Sequence, residues 1–192
     1  MTLGNSYRIA VAAVLAAALG LAGCGPMLVQ ESARGPWTPI PPGSTLTLNR
    51  PVQVPQDQAQ VVLRDGQISQ IGINLGPSCA LQVRRISHAG PQRIAPQSFQ
   101  IARVQVYWAQ VAYHRRAAAA RLLPAHWVDD GGGGNPMIQD GYHLWLEGPD
   151  RNVMRLTCLG MLNEMSRSRP ITLDEIRAAL GDVATLRVAG AR

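Results

Sequence analysis

Cysteine, histidine and carboxylate side chains are where chemistry would start in this chain, and their spacing decides what kind. Cys79 and Cys158 have neither a CxxC partner nor a histidine beside them, so a catalytic thiol is not indicated. His88, His114, His126 and His143 are spread out, and none has another His or Cys at metal-ligand spacing. Asp129-Asp130 with Asp140 offers carboxylates to calcium but lacks an EF-type ligand pattern, and such acidic pairs are ordinarily solvated. No metal site is assigned. The G-x-S-x-G elbow, the H-E-x-x-H pair, the P-loop and G-x-G-x-x-G are all missing, and the run Gly131 to Gly134 precedes Asn135-Pro136 instead of Lys-Ser/Thr. That run reads as a mobile loop and no phosphate cradle. A hydrolase would need at least two convergent polar groups with shifted pKa values, and the sequence assembles no such set. No cofactor and no enzymatic activity are expected.

Cys24 is different because of what precedes it. Met1 to Arg8 is polar with one positive charge, and Ile9 to Gly20 is uncharged and rich in Ala, Val and Leu. These are the n-region and h-region of a secretory signal, too short to cross a bilayer that needs about 20 apolar residues. Leu21-Ala22-Gly23-Cys24 follows. Two small residues let an extended backbone enter a peptidase cleft, and the thiol offers an atom for lipid attachment. This sequence resembles the lipobox of bacterial lipoproteins. The resemblance implies diacylglyceryl transfer to Cys24 and cleavage before it, usually with N-acylation afterwards. Residue 25 is glycine and not the aspartate that favours inner-membrane retention, so the implied location is the outer membrane, facing the periplasm. The acyl chains alone, at about 0.8 kcal/mol per buried CH₂, would give stable anchoring.

The elements that must position the remaining residues follow from patterning. The chain has 192 residues, 46% hydrophobic and 16% charged, as expected for one globular domain plus a targeting segment. The expected organisation is a signal peptide over 1–23, a Pro/Gly-rich tether over 24–43, part of it able to pack as an edge, and a single β-rich domain over 44–192. Trp37, inside the tether, is expected to dock onto its own domain. Beyond Gly43 the dominant period is two. Leu46, Leu48, Val52 and Val54 share a face, with Pro51 bending that strand or placing it at an edge. Ala59, Val61 and Leu63 lead into Asp65-Gly66, a hairpin turn signal, and Ile71, Ile73 and Leu75 continue beyond it. Cys79, Leu81 and Val83 form another face. Phe99 and Ile101 alternate, and Val104 and Val106 do so one residue out of step, which predicts a bulge near Ala102-Arg103. Tyr142, Leu144 and Leu146 make one further strand, and Met154, Leu156 and Cys158 another. From Trp108 to Leu123 the sequence allows either a helix or a continuation of the strand through Val111 and Tyr113.

The C-terminus holds one clear helix. Thr172 and Glu175 form a capping box, Ile171 and Ile176 a hydrophobic staple, and Gly181 a stop, with Thr185 to Val188 closing as a short strand. The fold class is therefore mainly β: an antiparallel sandwich or partly closed barrel with one C-terminal helix.

In an oxidising compartment Cys79 and Cys158 are an even pair, each on the inward parity of its strand, and a disulfide between them is expected. It would close a loop of about 80 residues, worth about 4.5 kcal/mol in the chain-entropy model.

Charge says less. The net charge is +6 and every basic residue is arginine, a bias that a GC-rich genome produces as readily as an anionic partner does. The arginines are scattered and no basic run appears, so no nucleic-acid footprint is present. Trp108, Trp127 and Trp145 fall with Tyr107, Tyr113 and Tyr142 in the middle third, where strand aromatics ordinarily pack in the core or across strands. Tyr107, Trp108, Tyr113, Arg115 and Arg116 are the candidate recognition strip, with Arg121 nearby, of a kind that suits glycan, lipid phosphate or protein. The stretches CALQVRR, MRLTC and LDEIRAALGDVATL also resemble uncharacterised proteobacterial outer-membrane lipoproteins, over Leu46 to Leu186. That resemblance implies the same cysteine pairing and C-terminal helix, and no activity.

The leading expectation is a non-enzymatic lipoprotein, joined to the membrane by its lipid, that binds or scaffolds another envelope protein or glycan. It calls for an aromatic-basic or apolar patch. The alternative is a carrier of a small apolar ligand, which calls for a dry cavity of several hundred Å³.

Overall fold

The computed structural model describes residues 26–69, 75–111 and 136–190. Cys24, Ile71, Ile73, Tyr113, Arg115, Arg116, Arg121 and the Asp129-Asp130 pair lie outside the described residues. Thirteen strands are present among the described ones, in chain order β1 (Leu28–Gln30), β2 (Trp37–Pro39), β3 (Thr45–Leu48), β4 (Val52–Val54), β5 (Gln60–Arg64) and β6 (Gln67–Ser69). They continue with β7 (Ser78–Val83), β8 (Gln92–Ile94), β9 (Ser98–Val111), β10 (Met137–Glu147), β11 (Val153–Leu159) and β12 (Asn163–Glu164). A short 3-10 turn (Met165–Arg167), helix α1 (Leu173–Leu180) and β13 (Ala184–Arg187) complete the chain.

Eight strands run in the order β13-β3-β9-β10-β11-β7-β5-β6, with β12 added beside β10, to make one antiparallel sheet curled into a half-barrel. The period-two pattern dictates its inside. Leu46, Leu48, Val61, Leu63, Leu81, Phe99, Ile101, Leu144 and Leu156 all point into the concave side and are buried. The opening of the curl is filled by α1, whose Leu173, Ile176, Ala179 and Leu180 are buried and which touches β5, β7 and β13. A single helix thus packs against strands from both ends of the sheet.

Local chemistry sets the junctions. Asp65 (φ 50°) and Gly66 (φ 73°) form the two-residue turn joining β5 to β6, with Arg64 paired to Gln67. The primed turn matches the right-handed strand twist and needs positive φ at both positions. Its tip meets the end of α1: the Gly66 amide donates to the Ala179 carbonyl at 3.2 Å, and a Cβ on Gly181 would stand 2.3 Å from the Gly66 Cα. The predicted bulge is present, since Trp145 pairs with Arg103 and Leu146 with Ile101, leaving Ala102 unpaired. Pro51, which has no amide to donate, ends the β3 run, and β4 leaves the main sheet to pair with β8. The strand after Trp108 runs through Val111. Cys79 and Cys158 face each other across β7 and β11, fully buried and bridged, with their Cα atoms 4.0 Å apart.

Four sequence expectations need correction. Part of the stretch read as a tether is folded: β1 and β2 form a hairpin, and Val29 and Ile40 are buried. Trp37 does not dock; it is 53% exposed, because the hairpin buries the opposite side of its strands. Ala59 is exposed, being just ahead of β5, where alternation does not yet bind. Val106 is 50% exposed, although its register partner Tyr142 on β10 is buried.

Candidate functional site

The convex face of the sheet follows from the same alternation that fills its interior. With Tyr142, Leu144 and Leu146 turned inward, Gly141, His143 and Trp145 of β10 turn outward. Antiparallel register then chooses their neighbours. Trp145 lies between Arg103 of β9 and Arg155 of β11, and His143 between Gln105 and Thr157. The guanidinium carbon of Arg103 stands 4.8 Å from the Trp145 ring centroid, and that of Arg155 stands 5.0 Å away. Both are cation–π distances. The Trp145 indole N–H donates to Gln105 Oε1 at 3.2 Å. Arg155 Nε donates to Gln82 Oε1 at 2.5 Å, and Gln82 Nε2 donates to Gln60 Oε1 at 2.9 Å. A hydrogen-bonded and stacked strip therefore crosses β9, β10, β11, β7 and β5.

Beside it, Tyr107 stacks on His143 with ring centroids 4.1 Å apart. The strand position opposite Tyr107 is Gly141, where a Cβ would lie 1.8 Å from the Cys158 carbonyl oxygen. No side chain fits there, which leaves Tyr107 free to lean over the imidazole. His143 Nδ1 is 2.8 Å from Thr157 Oγ1, and both residues are buried. Burial, and then the Arg155 charge, lower the His143 pKa to about 4, so the ring is neutral at pH 7. The positive charge of the strip thus resides in its arginines. Among the described residues neither Arg103 nor Arg155 has a carboxylate partner; the ion pairs are His88–Asp57, Arg169–Glu175 and Arg177–Asp174. An arginine stacked on one face and held at one nitrogen still offers N–H donors to an anion.

Among the described residues the shifted groups besides His143 are Tyr142, raised by burial and then by Asp140, and the Arg169–Glu175 pair. Tyr142 and His143 are adjacent in β10 and face opposite sides, while Arg169 and Glu175 serve the helix cap. Among the described residues no three His, Cys, Asp or Glu side chains gather as a metal site. The space between sheet and helix is occupied by core side chains. An open groove of about 740 Å³ at the end of β10 is lined by charged groups, among them Arg84, Arg85, Glu147, Asp150 and Arg151. A second open groove of about 730 Å³ is lined by Pro51, Pro55, Ile68 and Pro91 with Arg50 and Arg93; both are open to solvent, not enclosed. No helix among the described residues is long and apolar enough to cross a membrane.

Of the strip expected from sequence, Tyr107 and Trp108 are described, and they are not brought together. Adjacent strand residues face opposite sides, so Tyr107 covers His143 while Trp108, 53% exposed, lies on the other face of the ribbon. The cluster that does form, Arg103, Gln105, His143, Trp145 and Arg155, was not singled out by residue type. Its signal was present as the outward parity of β10 and β11, but choosing Arg103 as the partner of Trp145 requires the register set by the bulge. Comparison of the chain with protein-family models, with curated proteins and with solved structures finds no match.

Proposed function

We propose that this chain is a lipid-anchored, non-enzymatic protein of the cell envelope that binds or scaffolds another envelope component through the convex sheet face. The observation that carries the reading is the arginine pair held on Trp145 with no carboxylate partner among the described residues. Ordering two long side chains costs entropy, and stacking has already ordered these two before any partner arrives. The partner chemistry it suits is an anionic protein segment or glycan. Leu-Ala-Gly-Cys at residues 21–24 supports the lipid anchor, and the buried Cys79–Cys158 bridge suits an oxidising compartment such as the periplasm. With Gly25 following the lipidated cysteine, the outer membrane is the proposed location.

The test is photo-crosslinking in intact cells from position 105, within the strip and beside the Tyr107–His143 stack, with position 53 on the separate β4–β8 ribbon as control. A discrete envelope adduct is expected from 105 and not from 53, and Arg103→Gln with Arg155→Gln abolishes it. Equal adducts from both positions, or an adduct indifferent to the two arginines, sinks the proposal.

A further inference from the structure

Resting on the reading of Cys24 as lipidated, we infer that the outward face of the β1–β2 hairpin lies on the bilayer that holds this lipid, with Leu28 and Trp37 entering its interfacial layer. Val29 is fully buried, so its neighbours Leu28 and Gln30 turn away from the core. Register sets Leu28 opposite Pro39 and Gln30 opposite Trp37. The outward face of the hairpin is therefore mostly apolar, with Leu28 51% and Trp37 53% exposed and Pro39 exposed beside them.

This face is held firmly. The Glu31 amide donates to the Pro36 carbonyl at 2.8 Å and the Ile40 amide to Met27 at 3.1 Å. The first turn of α1 is tied to the hairpin through the Asp174 amide, which donates to the Glu31 carbonyl at 3.0 Å. Trp37 is thus displayed on a fixed support and not on a loose spacer.

Position in the chain selects the bilayer as occupant. Only a few residues separate Cys24 from Leu28, and at about 3.3–3.6 Å per residue Leu28 stays within about 15 Å of the lipidated residue. Tryptophan favours the membrane–water interface, where its ring is buried and its N–H stays wet. Charge is compatible with this placement. Arg34, at the hairpin turn, is exposed and suits lipid phosphates, while the Glu31 carboxylate is engaged by the Thr38 hydroxyl.

The experiment reconstitutes the membrane-purified, mature protein into vesicles whose phosphatidylcholine carries bromine high on the acyl chains, a short-range quencher of indole emission. Intact mass of the same sample reports the acyl group on Cys24. About a quarter of the emission is expected to be quenched, one tryptophan of four. The quenched fraction falls several-fold in Trp37→Phe and rises to about a third, one tryptophan of three, in Trp108→Phe. Because Trp37 is half exposed, Trp37→Phe leaves the fold intact, which circular dichroism checks. An acylated protein whose emission is not quenched, or is quenched through Trp108 instead, overturns this inference and leaves the anchor standing. An unacylated Cys24 overturns the anchor and the inference together.

Discussion

His143 shows how one side chain can be outward-facing and yet withdrawn from water. Tyr107 covers it, Thr157 bonds it, and its pKa lies near 4 in place of the usual 6.5. The sign of the resulting pH dependence follows from proton counting. Between the two values the unfolded chain binds the proton and the folded chain does not, so stability rises with pH across that window. The contribution is complete above the unfolded value and lost as pH falls toward 4. At about 1.4 kcal/mol per unit it amounts to at most about 3.5 kcal/mol. Urea unfolding at about pH 7 and pH 5 should show this acid-side loss in the natural chain and a shallower one in His143→Gln; identical slopes would refute the assignment. Trp145→Ala removes two cation–π contacts and should cost about 1–2 kcal/mol in the same assay, with the fold retained. Neither role was legible from residue type alone. Residue type places Tyr107 and Trp108 in one candidate strip, whereas neighbours in a strand point to opposite faces.

At the scale of elements, what was legible is what is local. The capping box of α1 is present in both directions, Glu175 N–H to the Thr172 hydroxyl and Thr172 N–H to the Glu175 carboxylate. Arg169 adds two bonds to that carboxylate and holds its pKa below the ordinary value. A depressed carboxyl stabilises above its unfolded pKa, and the contribution is lost as pH falls through the lowered folded value. Thr172→Ala should cost about 1 kcal/mol at neutral pH, read by thermal or urea unfolding. Gly181→Ala should cost more than the cap, on the order of 1–3 kcal/mol, because φ is +47° and the new methyl meets the backbone of Gly66. The Asp65-Gly66 turn and the Ala102 bulge were readable for the same reason: each is written within a few residues. The β1–β2 hairpin was not, since its prolines argue locally against strand while burial of Val29 and Ile40 is decided by distant partners.

For the molecule as a whole, composition and period were enough for the class, a mainly β fold with one C-terminal helix. Strand order was not, because it depends on which edges meet. The cysteine pair is the exception: parity put both thiols inside, and the register places them directly opposite each other on β7 and β11. Their separation of 79 residues makes the bridge a large constraint on the unfolded chain. Replacing both with alanine should lower stability by about 2–4 kcal/mol, and reduction should lower the denaturation midpoint of the natural chain in the same direction.

The pairing of β3 with β13 has a consequence for when this protein becomes a folded object. Leu46 and Leu48 of an early strand lie opposite Leu186 and Ala184 of the last, and Asn49 reaches across 136 residues to Thr185. One end of the curled sheet therefore stays open until the C-terminal residues arrive, and the helix that seals the interior comes only just before them. Contacts this distant in sequence are the slowest to form. A chain emerging in order from a ribosome or through a pore remains without its closing strand and helix for nearly its whole length. A chain made in order therefore lacks both the helix over 173–180 and the β13 partner of β3 until those residues are present.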